Sequence, residues 1–141
     1  MGYREGRERI VGLIDEATDR YGIGDSWVED ITLVAVWDIG DPDAARELLV
    51  ENVLRLDEDR LELLEGDDVT LGLRIWRRLG EASLECAIEP MHSEPSKVYL
   101  RLVQTGGEVI PDATALREAT DAVHEFLLGP LSAFMMARAR R

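Results

Sequence analysis

Residues 69–88 read Val69-Thr70-Leu71-Gly72-Leu73-Arg74-Ile75-Trp76-Arg77-Arg78-Leu79-Gly80-Glu81-Ala82-Ser83-Leu84-Glu85-Cys86-Ala87-Ile88. Val69, Leu71, Leu73 and Ile75 alternate with Thr70, Gly72, Arg74 and Trp76, the two-residue period of a strand with one buried face. Leu79-Gly80-Glu81-Ala82 reads as a tight turn in which Gly80 supplies the positive φ of a type II′ geometry. Such a turn sets Ile75 opposite Cys86 and Leu73 opposite Ile88, so all four apolar side chains share one face. Turn chemistry and hydrophobic pattern therefore agree on one hairpin.

Downstream, Val98, Leu100 and Leu102 alternate in a third strand over residues 98–104, reached through the loop Glu89-Pro90-Met91-His92-Ser93-Glu94-Pro95. A final helix starts at Ile110-Pro111-Asp112 with Asp112 as cap and Leu116, Ala119, Val123, Phe126 and Leu127 as its buried stripe. Gly129-Pro130 is expected to interrupt it, because proline has no N–H to continue the ladder. The C-terminus, Arg138-Ala139-Arg140-Arg141, suits a helix end.

Upstream, the spacing of Ile10, Leu13, Ile14, Ala17 and Tyr21 predicts a first helix over residues 4–21, with Gly22 as its stop. Ile31-Thr32-Leu33-Val34-Ala35-Val36-Trp37 lacks polar alternation. It is expected to be a strand covered on both faces, by helices or by a helix and a partner chain. Asp41-Pro42 opens a second helix by capping, with Ala45, Leu48, Leu49, Val53 and Leu56 in its stripe. The whole chain, residues 1–141, is expected to be a single α+β domain in the order α-β-α-β-β-β-α. Its antiparallel sheet of about four strands is packed by N-terminal, middle and C-terminal helices.

Of 141 residues, 29 are acidic and 16 basic, a formal charge of −13. Residues 1–70 hold 20 acidic and 7 basic side chains, and residues 71–141 hold nine of each. Much of the excess lies in the run from Asp57 to Asp68, which reads as a solvated connector. This balance disfavours nucleic acid and anionic membrane as partners. Arginine outnumbers lysine 15 to one, Lys97 being the single lysine. The chain has neither a spanning hydrophobic stretch nor a signal-peptide pattern. One cysteine, Cys86, makes no internal disulfide, and a reducing cytoplasm is the expected compartment. Its inward parity makes it a small core hydrophobe rather than a nucleophile.

Catalytic and metal signatures are weak. His92 and His124 have no partner at a ligand spacing, and no cofactor is expected. Asp38, Asp41 and Asp43 cluster at a strand end, yet capping and the helix dipole account for two of them. Tyr21-Gly22-Ile23-Gly24-Asp25-Ser26 follows a helix rather than a strand, so it is a helix stop and not a dinucleotide loop. No serine sits in a nucleophile elbow. The most informative constellation is the outward face of the sheet. Parity places Arg74, Trp76 and Arg78 there, with Glu85 and Glu89 on the next strand and Tyr99, Arg101 and Val103 on the third. Arginine and aromatic side chains on a rigid sheet have the composition of a protein-binding hot spot.

The passage Lys97-Val98-Tyr99-Leu100-Arg101-Leu102, with Ile110-Pro111-Asp112-Ala113-Thr114-Ala115-Leu116 and the long helix after it, resembles a known bacterial pattern. It is similar to the C-terminal half of type III secretion chaperone-like domains, including the bacterial sensory transduction regulator domains. That resemblance implies a small acidic, often dimeric α+β fold whose faces hold partner polypeptides without catalysis. The family places a helix before its last two strands, whereas here the Asp41–Leu56 helix precedes three strands, so no functional residue is carried over. The expectation is a non-enzymatic protein-interaction module, self-associating or bound to a protein partner through Arg74, Trp76, Arg78, Tyr99 and Arg101. The alternative is a small-molecule binder or minor enzyme with Glu85, His92, Arg101 and His124 around a site between the sheet and the last helix.

Overall fold

The hairpin forms as its turn requires. In a computed structural model, which describes residues 2–21, 30–66, 69–107, 110 and 112–137, strand β2 (Leu73–Leu79) pairs antiparallel with β3 (Ala82–Pro90) across the two residues Gly80 and Glu81. Gly80 has φ +59°, and the register sets Ile75 against Cys86 and Leu73 against Ile88. The strand begins at Leu73 rather than at Val69. A Cβ on Gly72 would lie 2.7 Å from the Ile88 carbonyl oxygen, so only glycine passes at that point.

β4 (Lys97–Thr105) pairs with β3, and β1 (Asp30–Asp38) pairs with β4, giving one antiparallel sheet in the order β1-β4-β3-β2. The observed fold is the expected α+β, with helices in the N-terminal, middle and C-terminal parts of the chain. β1 and β2 are the margins of the sheet. Leu84, Cys86, Ile88, Val98, Leu100 and Leu102 turn inward and are all buried.

Against this face pack two helical groups. In the first, Asp41 caps α2 (Pro42–Glu47) by accepting from the Asp43 N–H at 2.9 Å. The chain then widens into a π-helical stretch, Leu48–Val53, that buries Leu48, Leu49 and Val50. The acidic run is not only a connector. Asp57 caps the short α3 (Glu58–Glu62), which buries Leu61 while the acids around it stay exposed.

In the second group, Asp112 caps α4 (Ala113–Phe126) by accepting from the Ala115 N–H at 2.8 Å. Gly129 and Pro130 do not break the chain's course. A π-helical stretch, Leu127–Leu131, carries α4 into α5 (Ser132–Met136), burying Leu131 and Met135. The wider turn accommodates a residue that has no amide proton to offer.

The first helix, α1 (Tyr3–Tyr21), packs on α4 rather than on the sheet. Its contacts run Tyr3 to His124, Arg7 to Asp121 and Glu8 to Arg117, so the two helices are antiparallel. The buried position is Val11, while Ile10 and Leu13, expected inside, are 55% and 60% exposed. Polar anchoring at Arg7 and Asp121 rotates the helix away from its most apolar stripe. No described helix is long and apolar enough to cross a membrane.

Candidate interaction surface

Among the described residues nothing lies over the other face of the sheet. The cross-strand registers order its side chains into rows. Thr32, Val103, Glu85 and Trp76 form one row. Val34, Arg101, Ala87 and Arg74 form the next, and Val36, Tyr99 and Glu89 a third. Arg78 stands beside Ser83 at the hairpin end. Arg74, Trp76, Arg78, Tyr99 and Arg101 therefore occupy one continuous surface. Among the described residues β1 is covered on its inward side only: Val34 and Val36 point outward and are about half exposed. Of the two expected arrangements, a helix on each side is not found among the described residues, and a helix on one side with a partner chain on the other is taken up in the proposed function. The apolar outward residues explain why the strand lacks alternation.

The rows also show how the surface is held. Glu85 accepts a hydrogen bond from the Trp76 indole Nε1 at 3.1 Å, and its other oxygen lies 3.4 Å from Nη1 of Arg74. One carboxylate thus orients both an aromatic and a cation while Trp76 stays 70% exposed. Ala87 is buried although it points outward, because Arg74 and Arg101 flank it in its row. Among the described residues no ion pair reaches Arg78, Arg101 or Glu89. Arg77 has inward parity instead, with its guanidinium 4.7 Å from the centre of the Phe126 ring.

The polar residues of the small-ligand alternative do not converge. Glu85 and Arg101 lie on the outward face. His92 sits in the loop after β3, where it borders a 320 Å³ cleft with Pro42, Asp43, Arg46 and Met91. His124 stacks on Tyr3 at 3.7 Å between α1 and α4. A cleft does lie between the sheet and the C-terminal helices, but its lining is apolar apart from Ser132.

Asp41 and Asp38 are engaged with backbone, Asp38 accepting from the Gly40 N–H at 2.8 Å. Among the described residues no group of three histidine, cysteine or carboxylate side chains is placed to hold a metal ion. Cys86 is fully buried, and burial pushes its thiol pKa up, which suppresses the reactive thiolate. The glycines of the Tyr21–Ser26 segment and the C-terminal arginines lie outside the described residues.

Two features lay beyond sequence reading. One is the polar clasp of α1 on α4, whose partners are more than 100 positions apart. The other is the apolar lining of the cleft beside β1, whose place between the sheet and the last helix was expected but whose residues were not. Exposed Leu128 was the residue that could have pointed to it, being apolar yet off the stripe of the last helix. Comparison of the chain with protein-family models, curated proteins and solved structures gives no match.

Proposed function

We propose that this chain is a non-catalytic protein-interaction module, a chaperone-like adaptor or assembly subunit that associates with itself through the outward face of its sheet. The observation that carries the reading is the uncovered surface on which Arg74, Trp76, Arg78, Tyr99 and Arg101 stand beside Val34 and Val36. Strand residues advance about 3.3 Å and strands lie about 4.8 Å apart, so four strands present a face of roughly 550 Å². Two copies stacked on it bury about 1,100 Å² in total, near the lower limit of specific interfaces. Charge favours the same face. The molecule is strongly acidic, yet at outward positions Arg74, Arg78, Lys97 and Arg101 balance Asp30, Asp38, Glu85 and Glu89, and facing copies can pair one protomer's arginine with the other's glutamate.

Light scattering over a concentration series tests the reading, and a dimer mass is expected. Trp76→Ala should return the monomer mass with an unchanged melting temperature. A monomer at all concentrations, or a dimer that Trp76→Ala leaves intact, would refute it.

A further inference from the structure

The two margins of the sheet are built differently. β2 carries Arg74, Arg77 and Arg78, the kind of charged side chain that guards an exposed margin against further pairing. β1 carries no lysine, arginine or proline, and its register with β4 is unbroken from Asp30 to Asp38. A marginal strand directs half of its backbone N–H and C=O groups away from its one neighbour. Among the described residues none pairs with this margin, and β1 offers a row of backbone donors and acceptors along an apolar strand. Directly inside that margin lies the apolar cleft, 320 Å³ in volume, lined by Ala35, Trp37, Leu127, Leu128, Leu131 and Met135.

We propose that β1 accepts an extended segment of another polypeptide as a fifth strand, one with aliphatic or aromatic side chains at alternate positions and lysine or arginine at its ends. Side chains of an added strand alternate between faces. One set enters the cleft beside Leu128, and the other extends the outward surface next to Val34 and Val36. The charge preference follows from the local carboxylates. β1 begins at Asp30 and ends at Asp38, Asp41 and Asp43 follow, and the chain carries −13 overall. These carboxylates also disfavour a second β1 as the occupant. Antiparallel pairing of the full strand, centred on Val34, would set Asp30 opposite Asp38 of the other copy at both ends, and like charges directly opposed destabilise a strand pair.

This site runs along the margin of the stacking face, with its cleft on the opposite side of the sheet, and its test separates the two readings. A fluorescein-labelled peptide alternating valine with threonine and ending in lysines should bind the full chain in a polarisation assay. The same peptide ending in glutamates should bind about tenfold more weakly or not at all. Leu128→Gln, at an exposed position, and Ser132→Phe, which fills the cleft, should each weaken binding by about tenfold. Neither variant should alter the light-scattering mass, whereas Trp76→Ala should alter the mass and leave peptide binding intact. On binding, β1 amides that exchange rapidly with deuterium should become protected. Binding that ignores the cleft variants or the sign of the terminal charges would overturn the proposal. So would a cross-link between β1 strands of two copies in the protein alone.

Discussion

The Tyr3 hydroxyl donates a hydrogen bond of 2.7 Å to Asp121, joining the start of α1 to the middle of α4 across 118 positions of sequence. Arg7 reaches the same carboxylate, with its Nη1 2.7 Å from Oδ1 and 2.6 Å from Oδ2. Glu8 meanwhile receives Arg117. Among the described side chains of α1, Val11 alone is fully buried beside this polar clasp, so the attachment of the helix depends on charge more than the rest of the fold does.

Acid should release α1 first. The hydrogen bond from Tyr3, then that from Arg7, holds the Asp121 carboxyl below its usual range, and the hydrogen bond from Arg117 does the same for Glu8. A carboxyl with a depressed folded pKa adds stability that is complete above its unfolded value and disappears as pH falls through the folded one. The protection of α1 amides, measured as exchange relative to the unfolded-chain rate at the same pH, should therefore be high from neutrality to about pH 5 and fall below about pH 4. Asp121→Ala should show fast exchange at every pH. An α1 that stays protected in the variant would show that Val11 and its neighbours suffice.

The inward and outward faces of the sheet should respond oppositely to truncation. Ile88 is fully buried, and Ile88→Ala should cost about 2–5 kcal/mol in a urea titration. Val34 is half exposed, and Val34→Ala should stay within about 0.5 kcal/mol. A large loss at Val34 in dilute monomer would place an undetected cover over the outward face.

Two glycines should diverge in the same way. A Cβ on Gly12, inside α1, meets nothing within 4 Å, so Gly12→Ala should raise stability by about 0.5–1 kcal/mol. At Gly72 the added Cβ would strike the Ile88 carbonyl at 2.7 Å, and Gly72→Ala should lower the melting temperature. Equal effects in thermal melts would contradict the close passage of that segment over β3.

What the amino-acid order revealed follows the range of the interactions involved. The β2–β3 register was legible to the residue, because Gly80 and the alternation on either side of it are local constraints. The outward set Arg74, Trp76, Arg78, Tyr99 and Arg101 came from the same parity. The capping roles of Asp41 and Asp112 were legible for the same reason. The place of β1 beside β4 was not, since strand order depends on contacts between distant segments. Periodicity marked Ile10 and Leu13 as apolar, but what α1 lies against decides which side is buried. Pro130 reads as a break in a regular α-helix, and the π-helical stretch around it avoids that conflict.

The neighbour of β1 is the last strand to be made. Its ladder with β4 closes a loop between Asp38 and Lys97, whereas β2 and β3 are separated by two residues. At about 5–20 residues per second the ribosome takes several seconds to complete that interval. Throughout it, the apolar run Leu33–Trp37 waits without its hydrogen-bonding neighbour. Strand β1 is thus made before the other three strands yet can complete its ladder only after the last of them has emerged.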